Sequence, residues 1–301
     1  MAITLERTET TNRNAMIDLN CNCCDGKYNS FDVHFTSLCD NKCKHCIDLR
    51  YKGLNIAKPD VQAITNTIIE NSEGYDDVLF LGGEPCLYLD ELLQCVNILR
   101  EKTKLKLFVT TSVPKICYDE APVFYELIDK LDGINLSVQS HKEEVADKIR
   151  CVKSRYDRQK FYSELPHKEK IRINLNICKP YLYMKEDLVD CLSHYNKMGF
   201  KEIKLSEIQH GADYFVRFED IFGVKLDSPY SHGCQTVVDM KPWIPDWDGT
   251  LLLKRSCFIC EETLKASFGD LVKSVCKCFR KHDNKYAVVY ENGYLSKGGW
   301  L

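Results

Sequence analysis

Through about residue 210 the chain alternates short runs of β-branched and aromatic residues with longer segments of helical spacing, and few folds accept that order. Phe31 to Thr36, Val78 to Gly82, Leu105 to Thr110, Ile134 to Gln139, Ile171 to Ile177 and Ile203 to Ser206 predict six strands. Asp60 to Ser72, Leu87 to Lys102, Pro122 to Leu131, Lys142 to Val152 and Lys185 to Met198 predict the intervening helices. A helix between successive strands implies parallel pairing with right-handed crossovers. The expected class is α/β, as a partial parallel barrel or a doubly wound sheet, with ligands gathered at the carboxyl ends of the strands.

Beyond residue 210 the pattern changes. A helix is predicted around Asp213 to Phe222, followed by Gly-, Pro- and Trp-bearing stretches and two hairpin signals. One hairpin is expected to turn at Asp248-Gly249, the other at Asn292-Gly293 between Tyr286 to Tyr290 and Gly293 to Ser296. The division expected is an N-terminal extension over 1–30, a six-stranded unit over 31–210 and a smaller α+β unit over 211–301.

Seventeen cysteines in 301 residues is the compositional anomaly. The first 19 residues are polar and charged, and no apolar run approaches the roughly 18 residues of a membrane span, so a cytoplasmic protein with no membrane partner is expected. Disulfides are then a poor explanation for the cysteines. A net charge of −3, from 41 basic and 44 acidic residues, argues against nucleic acid as a partner. Cys95, Cys117, Cys151, Cys178 and Cys191 stand singly in periodic segments and read as small buried apolar residues. Cys21, Cys23 and Cys24 precede the first strand and receive no role.

The clustered cysteines need another account. Directly after the first predicted strand comes Cys39-Asp40-Asn41-Lys42-Cys43-Lys44-His45-Cys46, a C-x3-C-x2-C run. Three thiolates on one short loop suit three irons of a cubane, leaving the fourth iron open to a small molecule. Chance spacing and a structural zinc site completed by a fourth ligand such as His45 stay open on the spacing alone.

With Gly82-Gly83-Glu84-Pro85 closing the second strand, the run resembles the radical S-adenosylmethionine superfamily, His45 standing at the aromatic position of its cysteine loop. The resemblance implies a partial (β/α)6 barrel and a 4Fe-4S cluster on Cys39, Cys43 and Cys46 that binds S-adenosylmethionine. It further implies reductive cleavage of that cofactor to a 5′-deoxyadenosyl radical, which abstracts hydrogen from a substrate. His45, Gly82, Gly83, Glu84 and Pro85 are the corresponding cofactor contacts, Glu84 and nearby carbonyls being suited to a ligand ammonium. By the same analogy Ser137, Gln139 and Ser140 on the fourth strand, and Asn174 and Asn176 on the fifth, contact ribose and carboxylate. Their alternative role is to cap the following helix.

Cys234, the Asp248-Gly249 hairpin, Cys257-Phe258-Ile259-Cys260 and Cys276-Lys277-Cys278 resemble the twitch and SPASM domains. That resemblance implies one auxiliary 4Fe-4S cluster on four of Cys234, Cys257, Cys260, Cys276 and Cys278. If Cys234 stays outside the cluster, it is a candidate hydrogen donor, and Glu207 and His210 are candidate substrate contacts. The implied substrate is a ribosomally made peptide or protein, and the implied reductant a flavodoxin or ferredoxin. A small-molecule or nucleotide enzyme and a non-catalytic zinc-binding module are the alternatives.

Overall fold

The computed structural model describes residues 29–46, 58–208, 212–223, 235–254 and 286–297. The fold is mixed α/β with a mostly parallel sheet, a partial TIM-like barrel. Strands β1 (Ser30–Thr36), β2 (Asp77–Gly82), β3 (Lys106–Thr111), β4 (Gly133–Ser137), β5 (Ile171–Ile177) and β6 (Glu202–Glu207) pair in sequence order and in parallel. They coincide with the six predicted runs. Helices α1 (Val61–Asn71), α2 (Leu89–Lys102), α3 (Lys115–Asp119), α4 (Ala121–Lys130), α5 (Glu143–Arg150), α6 (Arg158–Glu164), α7 (Lys185–Lys197) and α8 (Phe218–Phe222) follow them along the chain. The short α3 and α6 are additions to the predicted helices.

Strand alternation divides the sheet chemically. Phe31, Val33 and Phe35 of β1, Val78 and Phe80 of β2, and Ile171, Ile173, Leu175 and Ile177 of β5 share one cluster with helix residues such as Ile64, Ile68, Leu92 and Val96. Each such fully buried side chain stabilises by ~1.5–3 kcal/mol. The intervening positions form the other, inner face, which carries Asp32, His34, Asn135, Arg172, Asn174 and Lys204. Polar residues are sustained there only where hydrogen bonds or a ligand satisfy them.

The segment after residue 210 extends this same sheet at both edges. β7 (Gln235–Val238) pairs antiparallel with β8 (Thr250–Lys254), which runs parallel to β6. β9 (Tyr286–Val289) runs parallel to β1 and pairs antiparallel with β10 (Leu295–Ser296). The order is β10-β9-β1-β2-β3-β4-β5-β6-β8-β7. The β9–β10 hairpin turns at Asn292-Gly293, as expected, with Gly293 at φ +79°. A Cβ there would lie 2.7 Å from the Ala63 backbone, so the glycine also lets the hairpin close onto α1.

Asp248-Gly249 is not a hairpin turn. The connection from β7 to β8 spans residues 239–249 and buries Met240, Ile244 and Trp247. Asp248 ion-pairs with Lys201, Thr250 N–H donates to the Lys201 carbonyl at 2.7 Å, and a Cβ on Gly249 would lie 2.8 Å from that carbonyl. The dipeptide docks β8 against the start of β6.

Candidate functional site

The cysteine loop leaves β1 at the carboxyl end of the sheet, and two glycines hold it there. Gly83 N–H donates to the Thr36 carbonyl and Glu84 N–H to the Leu38 carbonyl, each at 2.7 Å. A Cβ on Gly83 would lie 2.1 Å from the Leu38 oxygen, and one on Gly82, at φ +111°, 2.8 Å from the Thr36 oxygen. These glycines serve a close backbone approach between β2 and the cysteine loop. Lys42 N–H bonds the Arg150 carbonyl at the end of α5, and Cys46 N–H bonds the Cys43 carbonyl.

Cys39 is exposed, while Cys43, His45 and Cys46 are half-buried. Among the described residues no three His, Cys, Asp or Glu side chains form a preassembled metal site. Burial, with the neighbouring Cys46 and Cys151, pushes the Cys43 thiol up to about 12, and burial with Glu84 raises Cys39 further. Both shifts favour the neutral thiol at Cys39 and Cys43, and metal binding displaces the proton.

Glu84 is nearly inaccessible. Its Oε1 accepts from Thr111 Oγ1 at 2.6 Å and Cys86 N–H at 3.2 Å, and its Oε2 from Ser112 N–H at 2.7 Å and Ser112 Oγ at 2.6 Å. These four donors match the acceptor capacity of a carboxylate. Burial raises its pKa against the opposing hydrogen bonds from Ser112 and Thr111. Ser112 Oγ also accepts from Asn41 Nδ2 at 2.7 Å, giving a polar chain from the cysteine loop through β3 to the Gly82–Pro85 stretch. Pro85 is buried at the start of a short 3₁₀ turn that Glu84 caps. Arg158 Nη1 holds the Ser112 and Val113 carbonyls at 2.5 and 2.9 Å, fixing Val113 at φ +55°, a strained conformation for a β-branched residue.

Residues 33–203, more than half of the chain, match the family model described as the Radical SAM superfamily. The chain belongs to the radical SAM superfamily. Membership implies a 4Fe-4S cluster and S-adenosylmethionine, and the three-thiol donor set suits such a cluster. No curated protein sequence matches. Among solved structures, Streptococcus suis SuiB bound to precursor peptide SuiA is similar at TM-score 0.54 and 16% identity, over 89% of this chain and 59% of that one. SuiB bound to S-adenosylmethionine is similar at TM-score 0.52 and 15% identity, over 89% and 60%. The structure of anSMEcpe with bound AdoMet gives 0.45 and 17%, over 58% and 50%. The chain thus spans half to three fifths of the length of these proteins, and the SuiB likenesses show a shared fold.

Within this radical SAM fold the register gathers several of the remaining expected residues. Ser137, Asn174 and Lys204 are cross-strand partners, as are Asn176, Ser206 and Lys254, and all six belong to the inner face. Gln139 is buried with its Oε1 unpartnered among the described residues, and the Asn174 Oδ1 is likewise unpartnered. Ser140 has a local role: its Oγ accepts from Lys142 N–H at 3.1 Å, entering α5, and its carbonyl accepts from Tyr195 Oη at 3.1 Å. Glu207 lies on the helix side, where it bonds Phe218 N–H at 3.2 Å and pairs with Arg217 at 3.3 Å. Those bonds anchor α8.

His210, Cys234, Cys257, Cys260, Cys276 and Cys278 lie outside the described residues, as do Cys21, Cys23 and Cys24. Cys95, Cys117, Cys178 and Cys191 are buried, as expected, whereas Cys151 is exposed because it ends α5 in a left-handed conformation at φ +56°. One network has no sign in the sequence. His34 Nδ1 and Ser37 Oγ meet Glu291 Oε1 at 2.9 and 2.6 Å, tying the β9–β10 hairpin to the root of the cysteine loop. Burial would raise Glu291, but the His34 and Ser37 hydrogen bonds outweigh it and hold the carboxyl below its ordinary value.

Proposed function

We propose that Cys39, Cys43 and Cys46 bind three irons of one 4Fe-4S cluster, and that the chain modifies a ribosomally made peptide or protein by hydrogen abstraction. The observation that carries the reading is the three-cysteine loop at the carboxyl end of β1, clamped by Gly82 and Gly83 at backbone-contact distance. The buried Gln139 Oε1 and the Asn174 Oδ1 on the adjoining wall, both unpartnered among the described residues, suit a polar ligand. When bound, the cluster and S-adenosylmethionine supply one-electron cleavage of the S–C5′ bond and a hydrogen-abstracting 5′-deoxyadenosyl group. The protein's share is to orient that ligand along Ser137, Gln139, Asn174 and Asn176 and to exclude water.

An auxiliary cluster belongs to the same reading. Gln235 pairs with Lys254, so the chain enters and leaves the β7–β8 hairpin at one end, the carboxyl end of β8, and Cys234 and Cys257 flank that hairpin in sequence. The peptide assignment draws on the fold shared with SuiB, a protein solved with its precursor peptide.

Anaerobic reconstitution tests the proposal. Iron and sulfide should bind, S-adenosylmethionine should yield 5′-deoxyadenosine, Cys43→Ala should abolish that yield, and Cys257→Ala should spare it while losing modified product. Stoichiometric zinc without cofactor cleavage would overturn the cluster. A co-expressed peptide encoded beside this gene should change mass, and an unchanged peptide alongside turnover of a small molecule would overturn the peptide reading.

A further inference from the structure

The flank of the cysteine loop carries a concentration of positive charge that neither the fold nor the cofactor site uses. Lys42 and Lys44 lie on the loop, and Lys148, Lys153 and Arg155 on the end of α5 and the segment joining it to α6, which the bond from Lys42 N–H to the Arg150 carbonyl holds against the loop. All five are exposed and none has an ion-pair partner among the described residues. Nearby cations with structural duties differ. Arg150 is neutralised by Glu143 and Asp147, Arg158 is bound to carbonyls, and Lys115 pairs with Asp119. Asp40 is the acid on the same loop, and Asp157 is engaged in capping α6. A shallow cleft of about 40 Å³ opens here, lined by Asp40, Asn41, Lys115, Lys153, Arg155 and Arg158 among others.

The chain as a whole is acidic, at −3, so five cations within two short segments that have no ion-pair partner among the described residues mark a polarised surface. Their position suits one purpose. A cluster on Cys39, Cys43 and Cys46 must receive an electron from outside, and this flank is an exposed side of the loop that would hold it. We infer that Lys42, Lys44, Lys148, Lys153 and Arg155 form the docking surface for an acidic one-electron donor protein. The inference rests on the cluster reading above. In the encounter the donor's reduced centre loses one electron, the cluster gains one, and no atom is exchanged. Such complexes bury little area and associate through complementary charge, so their affinity falls steeply with salt.

The test uses the reconstituted 301-residue chain and follows 5′-deoxyadenosine under two reductants, a reduced acidic flavodoxin and photoreduced deazariboflavin, a small reductant with no protein surface to dock. Reversing charge in K148E/K153E/R155E, away from the cysteine loop, should raise the KM for flavodoxin at least tenfold and remove most of its salt dependence. The deazariboflavin-driven rate should stay within twofold of wild type. The neutral variant K153Q/R155Q should fall between, and supports the surface even if the triple variant folds poorly. Equal flavodoxin KM and salt dependence in wild type and K153Q/R155Q would overturn the docking surface while leaving the cluster intact. Absence of deazariboflavin-driven cleavage in the wild type would overturn the cluster reading, and the docking surface with it.

Discussion

The two walls that meet at the carboxyl end of the sheet are built on opposite rules. Around Glu84, at the carboxyl ends of β2 and β3, the polar groups are matched to one another. Glu84 is filled by four donors, Ser112 joins it to Asn41, and Arg158 closes the carbonyls of Ser112 and Val113. Along β4 and β5 the pairing is incomplete, with the Gln139 Oε1 and Asn174 Oδ1 unpartnered among the described residues. A buried polar atom without a partner costs about 1–3 kcal/mol, and a ligand that supplies the partner recovers it. The saturated wall holds the cysteine loop, and on the function proposed above the unsaturated wall is the one that takes the ligand.

The strongest way to break that distinction is to loosen the clamp. Gly83→Ala places a methyl 2.1 Å from the Leu38 oxygen, an atom of fixed backbone, so the loop must move away from β2. Loss of most bound iron after reconstitution is expected, together with destabilisation of about 2–3 kcal/mol from the displaced hydrogen bonds and overpacking. Iron content measured beside a urea denaturation curve checks both. Full iron retention with an unchanged midpoint would show that the glycine does not set the loop's position.

A pair of polar substitutions sharpens the comparison at smaller cost. Glu84→Gln replaces two acceptor sites by donors facing Ser112 or Thr111 and should lower stability by about 1–3 kcal/mol. Asn174→Ala removes an oxygen that has no partner among the described residues, so stability should be nearly unchanged while the Kd for S-adenosylmethionine rises about tenfold, the value of one hydrogen bond. Thermal denaturation and equilibrium binding on the reconstituted protein separate the two effects. If Asn174→Ala weakens the fold and spares binding, the walls have been assigned the wrong way round.

Much of this arrangement is legible in the order of residues alone. The six strand runs and the longer helices stand out because each repeats its period over enough residues to be read. The five-residue α3 and seven-residue α6 fall below that length, and α6 buries an arginine, Arg158, on its inward side. Cys39, Cys43, Cys46 and the Gly82-Gly83 pair are visible because local spacing carries their chemistry. Three of the four donors to Glu84 sit on and beyond another strand, 27 and 28 residues away, and Glu291 stands 257 residues from His34. A strand-end carboxylate such as Glu84 looks ready for a ligand, since nothing beside it in the chain reveals the donors that fill it. Asp248-Gly249 misleads for a related reason: the residues that favour a tight turn also suit a close landing on Lys201.

A final contrast uses the opposite end of β2. Asp77 is buried, its Oδ1 accepts from Ser30 Oγ at 2.6 Å, and its Oδ2 has no partner among the described residues. Burial pushes its pKa up to about 8, with Lys106 opposing and Asp132 adding to the shift. The unfolded carboxyl titrates near its ordinary value of about 4, so between these limits the folded chain holds a proton that the unfolded chain has released. The stability this group contributes is complete below about pH 4 and is lost as pH rises toward 8, at no more than about 1.4 kcal/mol per pH unit. Asp77→Asn keeps the shape and an acceptor for Ser30 but cannot ionise. Relative to wild type it should gain stability steadily from pH 5 to pH 8, read as a growing difference in urea midpoint. Because Asp77 is remote from the carboxyl end, S-adenosylmethionine affinity at fixed pH should not move. A constant midpoint difference across that range would mean Asp77 is already ionised in the fold, and a change in affinity would mean that the two ends of the sheet are coupled.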